Sequence, residues 1–229
     1  MHLEKHDTVY VLTLDDTDNR FSASWVAKIS ALIAQVAADP NDRALVTAGV
    51  GKFWSNGLDL DWMRANPSEV SALVIAVHEL YAVLLEADFP TVAAVQGHCY
   101  AAGAMLALAH DARIFRADRG FICLPEVDIK IAFTPGMSAL VTARLGAQTA
   151  HQAMVFGRRY GGDDALSAGI VDEILPEGKI LDRAIAYAAE LAGKDRKTLR
   201  AIKQGLYAPA IAALRNIEAN AELRGFAQA

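Results

Sequence analysis

No apolar run in this chain is long enough to cross a bilayer. Each is interrupted by His, Asp or Glu well short of the ~18 residues that a membrane helix needs. The first ten residues, MHLEKHDTVY, hold no apolar signal core. The last five, GFAQA, do not spell a peroxisomal address. These absences lead us to expect a cytoplasmic protein with no membrane association. Positive charge is in deficit: 22 Lys and Arg stand against 27 Asp and Glu. A nucleic-acid surface is therefore not expected, whereas a small anionic ligand needs only a few local cations. Cysteine is scarce, and both Cys99 and Cys123 lie in apolar segments. They read as buried thiols in a reducing compartment rather than as a disulfide. The six histidines are scattered, none at a metal-ligating spacing, so no metal site is expected. His98 and His110 read as structural, and His78 as lying at the core edge or the surface.

Several catalytic signatures are missing too. Ser55 lies in FWSNG and Ser138 in GMSAL, so neither sits in a G-x-S-x-G elbow. There is no P-loop and no G-x-G-x-x-G, which removes nucleotide hydrolysis and a nicotinamide fold from consideration.

What is present is an apolar, globular chain of 229 residues, 53% hydrophobic, enough for a sizeable core. Strands are expected at Val9–Leu14, Arg43–Val50, Val92–Val95, Ala112–Phe115, Phe121–Cys123 and Ile170–Leu175. Helical spacing runs from Ser24 to Asp39-Pro40, and again from a Ser68 cap through Val70, Leu73, Val77, Leu80 and Leu84. Further helices are expected at Ala101–His110, Met137–Leu145, Gln148–Phe156 and Asp163–Ala168. From Lys179 the pattern is all helical, as Ile180–Ala192, Lys197–Gly205 and Ala210–Gly225. The plan is α/β to about residue 176, then a helical region over 177–229. A strand, a glycine-containing loop and a helix occur around 44–80 and echo around 91–110.

Two loops carry the chemical signal. The first is Ser55-Asn56-Gly57-Leu58-Asp59-Leu60, and the second is Gly97-His98-Cys99-Tyr100-Ala101-Ala102-Gly103-Ala104. Glycine and alanine let a ligand approach the backbone, and free N–H groups at a helix start favour negative charge. Two such groups converging on one point would form an oxyanion hole. The competing reading is a small-residue helix packed tightly on a sheet.

Taken in order, these motifs resemble the enoyl-CoA hydratase/isomerase (crotonase) superfamily. GKFWSNGLDL resembles its first oxyanion loop, FPTVAAVQG the strand before the second loop, and AAGA that loop itself. GRRY followed by ALSAGIVD resembles a later signature of the family. The S-N-G-x-D-L loop, the A-A-G loop and Glu126-Val127-Asp128-Ile129 are most similar to Δ3,Δ2-enoyl-CoA isomerases of the plant peroxisomal type. The resemblance covers about residues 8–205.

It implies a crotonase-like spiral of ββα units with a C-terminal helical trimerisation region, assembled as a homotrimer or a dimer of trimers. It implies an acyl-CoA thioester as substrate and no separate cofactor. The backbone N–H groups of Leu58 and Ala102, with Gly103 adjacent, would hold the thioester oxygen. Residues Ser55, Asn56, Gly57, Leu58, Asp59 and Leu60 would line the CoA channel. Hydratases of the family carry two glutamates; the position of the first is Met105 here, and the second is Glu126. Many members have a Pro-Gly-x-Gly-Gly loop where this chain has Thr134-Pro135-Gly136-Met137-Ser138. A lone carboxylate is poorly equipped to hold a water yet sufficient to move a proton. The resemblance therefore implies a 3-enoyl-CoA isomerase of fatty-acid β-oxidation. A hydratase or other crotonase-type enzyme, and a non-catalytic acyl-CoA-binding protein, are the alternatives. A carboxylate beside Ile131 and Phe133 should have a raised pKa. Trp54 and Trp62 are candidates for the channel border, with apolar packing as the other reading. Arg64, Lys52 and Lys203 are candidates for the CoA phosphates, with plain surface charge as the other reading.

Overall fold

The structure, a computed structural model, describes residues 1–226. The last three residues of the expected C-terminal region lie outside it. Nine strands and ten α-helices are found among the described residues. The strands are β1 (His2–His6), β2 (Val9–Leu14), β3 (Ala44–Gly49), β4 (Phe53–Ser55), β5 (Thr91–Val95), β6 (His98–Tyr100), β7 (Ala112–Arg116), β8 (Ile122–Cys123) and β9 (Glu173–Leu175). The helices are α1 (Ala23–Ala38), α2 (Leu60–Ala65), α3 (Val70–Leu85), α4 (Ala102–Ala109), α5 (Pro135–Arg144), α6 (Ala147–Phe156), α7 (Gly162–Ser167), α8 (Ile180–Leu191), α9 (Arg196–Leu214) and α10 (Ile217–Asn220).

Six strands form one sheet in the order β1-β2-β3-β5-β7-β9, parallel except for the β1–β2 pair. The short strands β4, β6 and β8 form a second parallel sheet. The echo at 44–80 and 91–110 is thus a structural repeat. In each turn of a spiral, one strand joins the large sheet, the next joins the small sheet, and a helix follows. A third turn begins at β7 and β8.

Parallel strands covered on both faces must be apolar on both, and β3 and β5 comply. Leu12, Leu14, Leu45, Ala93, Val95 and Phe115 face a core that includes α1, α3 and α4. The alternate residues Val9, Val11, Val46, Val92 and Ile114 face α8. Helix α8 lies flat on that face because Ala184 and Ala188, one turn apart, carry only methyl groups. Helix α9 buries Lys203, Tyr207, Ala210, Ile211 and Leu214 and packs on α5 and α3. The segment Pro67–Leu85 has the length and apolarity of a membrane span. In this fold it is a core helix with Leu73, Val74, Val77 and Tyr81 buried.

The observed elements correct the expected ones at several points. β1, β4, β6 and α2 were not expected. The strand expected over Ile170–Leu175 is confined to Glu173–Leu175. Ser68 lies inside a 3₁₀ turn, Pro67–Glu69, and α3 begins without a side-chain cap. The helix expected at Lys197–Gly205 and the start of that expected at Ala210–Gly225 are one helix, α9, which runs through Pro209 and ends at Leu214; the remainder is α10 followed by non-helical chain. Five buried positions on one face outweigh a missing hydrogen bond at an exposed proline. The chain is helical from Pro135 rather than Met137, because the Thr134 hydroxyl accepts from the Met137 N–H and Pro135 has the dihedral of a first helical turn. His78 is fully buried and hydrogen-bonded to Thr134, not at the surface.

Candidate active site

The site is built where the first and second turns of the spiral meet. After β4 the chain turns through Gly57, at φ +79°, and Leu58 then forms an isolated parallel bridge with Phe21. The Phe21 N–H donates to the Gly57 carbonyl at 2.8 Å, and the Asp59 N–H donates to the Phe21 carbonyl at 3.2 Å. Gly57 C=O and Asp59 N–H are thus turned toward Phe21. The Leu58 N–H shares a trans peptide with the Gly57 carbonyl and so points the other way, away from Phe21. The six loop residues divide into two groups. Asn56, Leu58 and Leu60 line a cavity of about 280 Å³. Ser55, Gly57 and Asp59 support the loop from behind. The Ser55 hydroxyl donates to the Asn19 carbonyl and accepts from the Gly57 N–H. The Asp59 carboxylate accepts from the Trp62 N–H and caps α2.

The second loop is the start of α4. Ala101 precedes it with φ +51° and ψ −126°, a conformation that costs an alanine about 1–3 kcal/mol. This bend sends the chain directly into a helix, leaving the Ala102 N–H at the first helical position, where no intrahelical acceptor exists. The Tyr81 hydroxyl donates to the Ala102 carbonyl at 2.7 Å and pins that peptide from below.

The two loops interlock. A methyl group placed on Gly57 would sit 2.9 Å from the Ala101 Cβ and 3.1 Å from the Ala102 nitrogen. One placed on Gly103 would sit 2.6 Å from the Ser55 hydroxyl oxygen. Each glycine is therefore required by the opposite loop. Gly103 is a spacer behind the wall, whereas Leu58 and Ala102 are on it.

Glu126 faces them. Its side chain lines the same cavity with Met105, Ile129, Ile131, Met137 and Leu223. Only 5% of the residue is exposed, and Oε2 is buried without a hydrogen-bond partner among the described residues. Burial in these apolar surroundings pushes the carboxyl up to about 8, from an ordinary value of 4.5. The mouth carries three charged groups: Asp61 bridges Arg20 at 3.2 Å and Arg64 at 3.1 Å.

The family model for enoyl-CoA hydratase/isomerase matches residues 4–227. The chain belongs to the enoyl-CoA hydratase/isomerase family. It is 33% identical over 218 residues to the peroxisomal enoyl-CoA delta isomerase 2 of Arabidopsis thaliana, covering 90% of this chain and 91% of that one. A solved Mycobacterium tuberculosis protein, described both as an enoyl-CoA isomerase and as a probable enoyl-CoA hydratase, superposes with a TM-score of 0.88 at 28% identity, over 99% of this chain and 97% of its own. An enoyl-CoA hydratase of Mycobacterium marinum superposes equally well, at 0.88 and 28%, over 96% and 99%. The crotonase-type fold and the likeness to plant delta isomerases are both established by these matches.

Within this family member, the other sequence candidates fall elsewhere. Trp54 is wholly buried, and its indole N–H donates to the Thr47 carbonyl at 3.3 Å; it belongs to the core. Trp62 is half-buried and packs against that core. Lys203 is neither a surface charge nor a phosphate ligand in reach of the mouth. It is 4% exposed and pairs with Asp111 at 2.8 Å beneath α9. Lys52 lies over the Phe53 ring, beside a separate cleft with Gln96 and Arg119. His110 donates from Nδ1 to the Leu106 carbonyl, which leaves Nε2 to accept from the Thr47 hydroxyl. It is a neutral structural group, with burial holding its pKa down at about 4. His98 pairs with the Tyr100 hydroxyl at 2.9 Å. Cys99 and Cys123 are both buried. The sequence reading missed Arg20, Tyr81, Met137 and Leu223. Arg20 alone offered a signal, as a lone cation after an acidic turn.

Proposed function

We propose that this enzyme is a Δ3,Δ2-enoyl-CoA isomerase that needs no cofactor beyond its thioester substrate. The observation that carries the reading is the makeup of the deep wall. Glu126 is its single carboxylate, and Met105, on the facing helix, offers no polar atom to hold a water. The Glu126 carboxylate removes a proton from carbon 2 of a 3-enoyl thioester. The electron pair delocalises into a dienolate whose charge rests on the thioester oxygen, between the Leu58 and Ala102 N–H groups. Protonated Glu126 then returns the proton at carbon 4, leaving the double bond between carbons 2 and 3. Each oxyanion donor of this kind contributes about 3–4 kcal/mol, and the base roughly 10²–10⁴ in rate. A carboxyl poised near neutrality serves as base and acid in one cycle. Arg20 and Arg64 at the mouth suit the phosphates of the CoA moiety.

The reading extends to a cytoplasmic homotrimer acting in β-oxidation, with the exposed Ile202 and Leu206 of α9 as part of the contact between copies. A hydratase is the second reading, favoured by the likeness to the M. marinum enzyme. The test is solvent deuterium exchange at carbon 2, and double-bond migration, on a panel of 3-enoyl-CoA esters with wild type and Glu126→Gln. Migration that vanishes in the variant, with thioester binding retained, supports the isomerase. Full activity in the variant, or hydration matching migration in wild type, overturns it.

A further inference from the structure

One wall of the cavity comes from an unexpected place. Leu223 belongs to the segment after α10, nearly one hundred positions beyond Glu126, yet it is 8% exposed and lines the same cavity. The end of α10 and the segment after it are fastened there at three points. The buried Asn220 side chain accepts from the Gly136 N–H at 2.9 Å, and its amide donates to the carbonyls of Ala213, Leu214 and Asn216. The Ala132 N–H donates to the Arg224 carbonyl at 2.9 Å. Gly225, with φ +88°, lies so close to the Lys130 carbonyl that a side chain there would collide with it. The C-terminal segment is thus a strap laid over residues 130–136, which directly follow Glu126.

The strap closes a small space. About 280 Å³ is at the lower end of the roughly 300–1,000 Å³ usual for ligand cavities. Leu223, Met137 and Ile131 are apolar and carry no group that could take part in proton transfer. Their contribution to a thioester substrate is contact with its hydrocarbon. Of these three, only Leu223 comes from a segment outside the spiral, so its bulk can change without moving Glu126 or either loop.

We propose that Leu223 sets the length of acyl chain this site accepts, and that the strap restricts it to short- and medium-chain thioesters. The proposal rests on the thioester reading above. Each methylene that gains burial is worth about a four-fold change in kcat/KM. The experiment measures kcat/KM on 3-hexenoyl-, 3-octenoyl-, 3-decenoyl- and 3-dodecenoyl-CoA for wild type, Leu223→Ala, Leu223→Phe and, as a control, Leu206→Ala. In parallel, Kd is measured for the saturated acyl-CoA series, and thermal melts confirm that each variant is folded. Leu223→Ala should move the optimum to longer chains by about four-fold per added methylene, and Leu223→Phe should move it to shorter ones. Leu206→Ala should leave it in place. Folded Leu223 variants with the wild-type profile, in turnover and in Kd, would overturn the proposal. Absence of turnover on every ester in wild type would sink the isomerase reading, and the Kd series would then decide the role of Leu223 by itself.

Discussion

Glu126→Gln should cost activity and raise stability, with a pH dependence that identifies the cause. The carboxyl is buried and pushed up to about 8 from 4.5. Between those two values the folded protein holds a proton that the unfolded chain has released. Stability is therefore complete below pH 4.5 and falls as pH rises toward 8. The window spans about 3.5 pH units, and each unit is worth about 1.4 kcal/mol, so the full loss is about 5 kcal/mol. Glutamine is neutral throughout and avoids that loss. At pH 5 only about 0.8 kcal/mol of the loss has accrued, and the variant should melt about 2–3 °C higher. At pH 9 the variant should melt about 10–20 °C higher, at roughly 2–4 °C per kcal/mol for a chain of this size. Wild-type kcat/KM should rise with pH to a plateau above about 8, as the carboxylate forms, while the variant should fall by roughly 10²–10⁴. Paired thermal melts and rate profiles from pH 5 to 9.5 check both limbs. A Tm difference that does not change with pH would refute the argument from burial.

Gly57→Ala should drive its methyl into Ala101 and Ala102 at a backbone φ of +79°. Steady-state kinetics should show a loss of roughly 10² or more in kcat, with the fold retained by circular dichroism. Ala101→Gly should relieve the bend before α4. About 1–3 kcal/mol of strain, less about 0.5–1 kcal/mol for the freer unfolded chain, predicts a gain of about 1 kcal/mol in urea unfolding. Lys203→Met should cost about 1–3 kcal/mol, because Asp111 loses its cation but keeps the Thr91 N–H and hydroxyl, and Lys203→Met/Asp111→Asn should recover part of that loss in the same assay.

How much could be read in advance depended on how local the cause was. Val9–Leu14 and Val92–Val95 are apolar enough to declare themselves, and both are strands. β4 and β6 are only three residues long, too short for any period to register. They exist because each turn of the spiral presents an edge to the next. Pro209 and Gly205 signal a break that packing of α9 overrides. The two loops at 55–60 and 97–104 were legible because glycine and alanine are required there by close approach. Arg20 and Leu223 were not, since neither residue type is required by its own neighbours. Their place at the cavity is decided by the third dimension.

The interlock of Gly57 with Ala101 and of Gly103 with Ser55 bears on how the molecule comes apart. Neither loop has a resting place without the other, so opening one opens both. Amide exchange at Leu58 and Ala102 should then proceed with a single opening free energy, although 44 positions separate them in the chain. During folding the junction of the two loops cannot appear with the first turn of the spiral. It comes into being in one step, when the second turn docks and the long-range contact closes.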